Sequence, residues 1–149
     1  DRFLDQGVIV STRGRALGQS ALYRARADAA WNMPVYVLVD HDSASASEIL
    51  AGALQENGRA TVVGERSYGK GSVQSIFPLR AVPAGLKLTT AKFFSPRNRA
   101  YSEQGVEPDV RVTTAARPVK GDRSSLDFPL GDPDRDPVLK TALRLANKK

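Results

Sequence analysis

The alternation of apolar and polar residues predicts short strands separated by a helix in the first half of the chain. Residues 34–40 are almost continuously apolar, which is typical of a strand covered on both faces in a parallel sheet. Between residues 45 and 57 the apolar positions recur every three or four residues, as in an amphipathic helix. Residues 60–64 predict the next strand, so this segment has the strand–helix–strand order of an α/β fold.

Further strands and a closing helix are predicted around this segment. Strands are indicated by β-branched or alternating apolar residues at 7–11, 72–79, 86–94 and 110–113. Residues 13–32 are polar and rich in Arg and Ala, which indicates a solvated loop or a loose helix. We therefore expect a folded core over 1–112, a Pro- and Gly-rich linker over 113–136 and a C-terminal helix over 137–149.

The composition is that of one globular domain. The 149 residues are 41% hydrophobic and 26% charged, which excludes wholesale disorder. No apolar run approaches the length that a transmembrane helix requires. The sequence begins Asp1-Arg2-Phe3, with neither a methionine nor a signal sequence, so we expect a mature or excised piece of a longer protein.

Cysteine content and charge narrow the possible chemistry. The sequence has no cysteine, which excludes thiol nucleophiles and disulfides, and its one histidine leaves a zinc site mostly to carboxylates. The formal net charge of +6 admits nucleic acid or an anionic membrane as a partner. The basic residues are scattered, however, and are not interleaved with aromatic residues as in a base-stacking surface. We therefore expect no metal, no cofactor and no nucleic-acid partner.

Ser45 is a candidate nucleophile because of its place in the predicted fold. It lies in a run of small residues, Ser43-Ala44-Ser45-Ala46-Ser47-Glu48, where the buried strand turns into the helix. Ligands of open α/β sheets bind beyond the carboxyl ends of the strands, and a helix N-terminus offers free N–H groups to an oxyanion. The same residues also fit a capping box, in which Ser45 merely caps the helix and Glu48 reaches back to it.

Lys70 is predicted to come close to Ser45 because the helix that leads away from Ser45 and the segment that returns from it have nearly equal lengths. A helix of about 13 residues is about 20 Å long. The return segment 59–65, of about seven residues, spans about 23 Å when extended. Lys70 is therefore brought back to the level of Ser45, where burial beside the positive helix end would favour the neutral amine that a general base requires. The alternative is a lysine in a glycine-rich surface turn.

His41 is the candidate for a different chemistry. It follows the same strand and could form a serine-hydrolase arrangement with a serine of the run 43–48. The sequence lacks the Gly-x-Ser-x-Gly turn of such enzymes, and an imidazole seldom reaches back across so tight a turn. We therefore interpret His41 as a polar loop residue, and a magnesium site at Asp40 and Asp42 is favoured still less.

Residues 43–74 resemble the carboxyl-terminal processing peptidases, also called tail-specific proteases. The resemblance is carried by Ser43-Ala44-Ser45-Ala46-Ser47-Glu48-Ile49, Asn57-Gly58-Arg59-Ala60, Val63-Gly64-Glu65 and Tyr68-Gly69-Lys70-Gly71-Ser72-Val73-Gln74. Residues 7–11 and 105–110 are also similar to segments of that family, so the likeness covers roughly residues 1–112.

The resemblance implies roles for individual residues. The family's nucleophile falls on Ser45, its general base on Lys70, and the glutamine that orients the base on Gln74. If one strand carried both, residues 70 and 74 would point to the same side. The backbone N–H of Ala46 would be one oxyanion donor. The acidic residue that some members place eleven positions after the nucleophile falls on Glu56, which we interpret as structural because it lies at the far end of the helix.

The resemblance further implies a fold, an activity and a location. The fold would be α/β, the carboxyl-terminal part of a crotonase/ClpP-like core of β-sheet and helices. The activity would be that of a serine endopeptidase, which cleaves proteins with apolar C-termini near those termini through a Ser/Lys acyl-enzyme. The location would be the bacterial periplasm or cell envelope, with the chloroplast lumen second.

The family's upstream strand with its Asn-Pro-Gly-Gly-like turn, and its peptide-binding PDZ domain, have no counterpart in residues 1–112. We therefore expect a partial protease core that is weakly active or inactive alone and that forms a homodimer by sheet-edge pairing. Two other classes stay open: a catalytically inactive homologue that acts as a peptide-binding or scaffold domain, and a crotonase-like acyl-CoA enzyme.

Overall fold

A computed structural model describes residues 2–16, 18–26, 31–113 and 131–148 of the chain. Within these residues the elements follow one another as strands β1 to β7 and helices α1 and α2. Their bounds are β1 Val8–Gly14, β2 Ala21–Arg24, β3 Tyr36–Val39, α1 Ala46–Glu56, β4 Thr61–Gly64, β5 Ser72–Pro78, β6 Gly85–Phe94, β7 Val110–Arg111 and α2 Pro137–Ala146.

The smaller sheet is parallel and has the strand order β3-β4-β7. Its register pairs Val39 with Gly64, and Val63 with Val110. Parallel neighbours require a crossover connection, which α1 provides between β3 and β4. The predicted strand–helix–strand unit is confirmed, and the three strands end at one common edge.

Helix α1 packs against strands of both sheets, β4 on one and β1 on the other. Its Ala51 lies in a buried cluster with Val10 of β1 and Val62 of β4. Val62 is fully buried, and burial of such a side chain contributes about 1.5–3 kcal/mol relative to its exposed state. The buried face of the helix includes the small residues Ala51, Gly52 and Ala53.

The larger sheet is antiparallel, with the order β2-β1-β6-β5. Strand β2 corrects the prediction that residues 13–32 form a loop or a loose helix, because residues 21–24 pair with β1. The sequence pattern missed this strand because β2 lies at the sheet edge, where Leu22 and Tyr23 are more than half exposed and show no buried face. At the opposite edge, β5 and β6 form a hairpin.

Helix α2 covers Pro137–Ala146 within the C-terminal segment 137–149, and its contacts show where it docks. Val138 and Ala142 are buried together with Val63 of β4, so α2 packs against the parallel sheet. Asp136 caps the helix by accepting hydrogen bonds from the backbone N–H groups of Val138 and Leu139.

The predicted linker, residues 113–136, falls mostly outside the described residues, which resume at Gly131. Residues 131–135 contain turns that lead into α2. Of the two helices in the described ranges, neither combines the length and the apolar character needed to cross a membrane.

Replacement of Gly64 is expected to destabilise the parallel sheet strongly. Gly64 has a φ of +132°, and a Cβ at this position would lie 1.9 Å from the carbonyl oxygen of Val39. Gly58 has a φ of +69° but open space around it, so it is the matched control. We expect Gly58→Ala to lower the free energy of unfolding by about 1 kcal/mol and Gly64→Ala by about 3 kcal/mol or more. Urea unfolding measures both, and equal losses would contradict this account.

Candidate active site

The candidate site lies at the edge where the parallel strands end. Directly after β3, the carboxylate of Asp40 holds a tight turn: its Oδ1 accepts hydrogen bonds from the N–H of Asp42 at 3.0 Å and from the N–H of Ser43 at 2.9 Å. The hydroxyl of Ser43 also donates to Asp40 Oδ1, at 3.0 Å. This turn fixes the direction in which the chain enters α1.

Ser45 has an unusual backbone conformation at the start of α1. Its φ is 60° and its ψ is −111°, whereas Asp136, the cap of α2, has the extended values −84° and 107° that are usual for a cap. A positive φ in a residue with a side chain costs about 1–3 kcal/mol, and such residues cluster at functional sites. Half of the capping box predicted for Ser45 and Glu48 is present: the Glu48 carboxylate accepts the N–H of Ser45 at 2.8 Å. The Ser45 side chain makes no capping hydrogen bond, and the N–H of Glu48 donates instead to the backbone carbonyl of Ser45 at 3.0 Å.

The loop that carries Lys70 lies against the turn before α1. The N–H of Glu65 donates to the carbonyl of Val39 at 3.1 Å, and the N–H of Tyr68 donates to the carbonyl of Ser43 at 3.0 Å. The segment after β4 therefore runs back along the end of β3. This path is the one that the length argument predicted.

The carboxylate of Glu48 joins the two segments. Its Oε2 accepts hydrogen bonds from the N–H of Ser45 and from the N–H of Lys70, each at 2.8 Å. Its Oε1 accepts from the hydroxyl of Ser67 and from the N–H of Gly69, each at 2.6 Å. Because both nitrogens contact the same oxygen, the backbone nitrogens of Ser45 and Lys70 lie no farther apart than twice 2.8 Å.

Residues 102–106 form a second segment that packs against the Lys70 loop. The N–H of Glu103 donates to the carbonyl of Gly69 at 2.9 Å, and the N–H of Val106 donates to the hydroxyl of Ser67 at 2.7 Å. A Cβ on Gly71 would lie 2.3 Å from the backbone nitrogen of Ser102. The glycine therefore permits an approach of two backbones that no other residue would allow.

The side chains of the proposed pair differ in exposure. Ser45 is partly buried, whereas Lys70 is exposed, so the burial expected for Lys70 is not found. The reason is that Lys70 lies in the loop ahead of β5, and only its backbone is held by Glu48. Ala46 is the first residue of α1, and an N–H in the first turn has no carbonyl partner inside the helix.

Gln74 lies in β5 and is exposed. The argument that residues 70 and 74 share one side of a strand does not hold, because Lys70 precedes β5 and the register shifts between Val73 and Gln74. An irregularity of this kind interrupts the alternation of side chains. The orienting role of Gln74 therefore stays a prediction.

His41 contacts carboxylates. Its Nδ1 lies 3.2 Å from Glu65 Oε2 and its Nε2 lies 3.7 Å from Asp42 Oδ1. The ring is exposed, which agrees with the interpretation of His41 as a polar loop residue.

Glu56 lies at the opposite end of α1 from Ser45 and binds the turn after β6. Its carboxylate accepts hydrogen bonds from the N–H of Arg97 at 2.6 Å and from Nε of Arg99 at 2.8 Å. Burial raises the pKa of Glu56, but the hydrogen bonds from Arg97, Ser95 and Arg99 outweigh it and hold the pKa below its ordinary value. These contacts agree with the structural role expected for Glu56.

Comparison with known proteins places the chain among peptidases. The sequence profile of peptidase family S41 matches residues 1–112. A carboxy-terminal-processing protease of Bartonella bacilliformis is 43% identical over 133 residues, which are 89% of this chain and 30% of that protein. The chloroplastic carboxyl-terminal-processing peptidase 3 of Arabidopsis thaliana is 53% identical over 81 residues, which are 54% of this chain and 15% of that protein.

A solved structure shows the same relationship. The photosystem II D1 C-terminal processing protease is 32% identical, with a TM-score of 0.68 over 75% of this chain and 29% of that one. The 149 residues thus span less than a third of each of these relatives.

Removal of the Glu56 charge is expected to lower stability in a pH-dependent way. Because the folded-state pKa of Glu56 is depressed, its contribution is present above the ordinary value of 4.5 and is lost as the pH falls through the folded-state pKa. We expect Glu56→Gln to lower the free energy of unfolding at pH 7 by about 1.5–3 kcal/mol.

Urea unfolding at pH 7 and pH 3 measures this effect, with Asp5→Asn at an exposed position as the control. The deficit of Glu56→Gln should shrink at pH 3, and a deficit that grows there would show that the sign is wrong.

Proposed function

Since the chain belongs to peptidase family S41, we propose that it carries the nucleophile and the general base of a serine endopeptidase that cleaves proteins near their C-termini. Ser45 is the nucleophile and Lys70 is the base. The observation that supports this pairing is the shared bond to Glu48: one oxygen accepts the N–H of both residues. A serine on a strained turn at a helix N-terminus, next to a lysine loop, is an arrangement suited to acyl transfer.

The reaction proceeds in two halves. Neutral Lys70 takes the proton of the Ser45 hydroxyl as its oxygen attacks the scissile carbonyl carbon. The N–H of Ala46 donates to the oxyanion, and the positive end of α1 stabilises the negative charge. The tetrahedral intermediate collapses, the C–N bond breaks, and Lys70 returns the proton to the leaving amine. Lys70 then takes a proton from water as the water oxygen attacks the ester carbon. It returns this proton to Ser45 Oγ when the ester C–O bond breaks and the acid product leaves.

Because Lys70 is exposed, we expect the bound substrate to shield its amine from water. The exposed Lys70 side chain is open to water, whereas a general base must be the neutral amine, since an ammonium has no free electron pair. A peptide laid across Ser45 would cover the amine and exclude that water. Gln74 orients the amine in this proposal.

A groove on the antiparallel sheet suits a substrate with an apolar C-terminus. The groove has a volume of about 770 Å³. Its lining includes three apolar and three basic side chains: Phe77, Leu88, Phe94, Arg13, Arg15 and Lys92. Apolar side chains would bind the body of the tail, and the cations would attract its terminal carboxylate.

The remaining features follow from the family. The residues 1–112 are the carboxyl-terminal part of a crotonase/ClpP-like protease core, 113–136 link it to the helix 137–149, and the whole protein works in the bacterial periplasm or cell envelope. The relatives include bacterial and chloroplastic proteins, and the chloroplast lumen is therefore the second location.

A catalytically inactive, peptide-binding homologue is the second candidate function. The observation that favours it is the hydrogen bond from the N–H of Ser45 to Glu48, which gives this turn a structural role even without catalysis.

Ser45→Ala and Lys70→Met separate the two candidates. In the full natural chain that contains this sequence, we expect Ser45→Ala to abolish cleavage of a peptide with an apolar C-terminus. We expect Lys70→Met to slow it by about 10²–10⁴-fold. Loss of the Ser45 hydroxyl costs at most about 1 kcal/mol of stability, which leaves the protein folded.

Ser47→Ala in the same turn and Lys140→Met at an exposed position of α2 are the controls and should retain turnover. Proteolysis retained in either Ser45→Ala or Lys70→Met would leave the binding protein as the better candidate.

A homodimer formed by pairing of sheet edges is also part of the proposal. β5 is an edge strand, and its Ile76 and Phe77 are 69% and 46% exposed. Exposed apolar edge strands favour pairing with another chain. We expect Ile76→Lys to shift the 149-residue chain from dimer to monomer in sedimentation velocity, whereas Val82→Lys in the hairpin turn should not. A monomeric parent chain at high concentration would exclude the dimer.

A further inference from the structure

We infer that Glu48 is a positioning residue, which holds the Ser45 turn and the Lys70 loop in one fixed relation. The inference rests on the proposed function and deepens it, because it identifies the group that keeps the nucleophile and the base together. Glu48 touches backbone N–H groups and the Ser67 hydroxyl, and none of its bonds goes to a reacting atom.

The pattern of donors is what an ionised carboxylate accepts. Each oxygen receives two hydrogen bonds, three from N–H groups and one from a hydroxyl. A carboxylate offers about four acceptor positions, and all are used here. The side chain is completely buried, and no ion pair to it is found among the described residues. Its charge is therefore balanced by hydrogen bonds and by the N-terminal end of α1.

Glu48 differs from an ordinary capping residue in how far along the sequence its hydrogen-bond partners lie. Asp136 serves α2 with partners no more than five positions away. Glu48 has one such local partner, Ser45, and three others that lie 19, 21 and 22 positions along the chain. A cap needs only the local bond. The distant bonds tie α1 to the segment that delivers the proposed base.

A glutamine at position 48 cannot reproduce these contacts. Its amide has one oxygen and one NH₂ group, and the NH₂ group would face two donors whichever way the side chain turned. Either the pair on Oε2, from Ser45 and Lys70, or the pair on Oε1, from Ser67 and Gly69, is lost. In both cases the loop moves relative to Ser45.

The test compares two buried glutamates of α1. Glu48→Gln and Glu56→Gln remove a charge from opposite ends of the same helix, and only Glu48 lies beside the proposed site. Both are made in the full natural chain that contains this sequence and are assayed well below their unfolding temperatures. We expect Glu48→Gln to lower kcat about 10²-fold with little change in KM, and Glu56→Gln to leave kcat within about threefold of the parent. If Glu48→Gln does not fold, Glu48→Asp takes its place, because withdrawal of the carboxylate by one methylene breaks the same bonds.

Hydrogen exchange supplies a second measurement that does not depend on activity. The amides of Ser45 and Lys70 should exchange about tenfold faster in Glu48→Gln than in Glu56→Gln. The inference is overturned if kcat of Glu48→Gln stays within about threefold of the parent, or if the two amides keep their protection. Activity retained in Ser45→Ala would instead overturn the proposed function, while the exchange rates would still decide whether Glu48 holds the two segments together.

Discussion

The arrangement of the candidate site depends on one buried carboxylate. An ionised group without partners is very costly to bury, so Glu48 is tolerated only because four donors converge on it. Hydrogen bonds to a charged acceptor are roughly twice as strong as those between neutral groups. If the turn at Ser45 and the loop at Lys70 moved apart, the Glu48 carboxylate would lose hydrogen bonds or become exposed to solvent. The strained φ of Ser45 is held by the same constraint.

Close contacts between backbones complete the support. Gly71 lies against Ser102, and the main chain of Gly69 is bonded to Glu103, so the Lys70 loop rests on the segment 101–106. That segment also receives the N–H of Ser67 at the carbonyl of Val106, at 3.1 Å. The site thus consists of three stretches of chain stacked at one sheet edge, with Glu48 bonded to two of them.

Much of this arrangement could be predicted from the sequence, because it follows from the spacing of apolar residues and from the lengths of the helix and strands. The buried strand β3, the helix α1 and the return strand β4 each have a clear pattern, and their lengths place residue 70 near residue 45. Strand β2 was missed because an exposed edge strand has no buried face to reveal it. The alternation argument for Gln74 failed because a register shift in β5 cannot be read from side-chain type. The capping box showed the local bond of Glu48, but its distant partners follow only from the folded path of the chain.

The order in which the three stretches occur along the chain has a consequence for biosynthesis. Ser45 leaves the ribosome first, the residues 67–70 follow, and the supporting segment 101–106 emerges last. Synthesis adds about 5–20 residues per second, so several seconds pass between the synthesis of Ser45 and that of the segment 101–106. While it is being translated, a nascent chain therefore carries a Glu48 carboxylate that still lacks its distant donors, and the site is complete only after this region has been made.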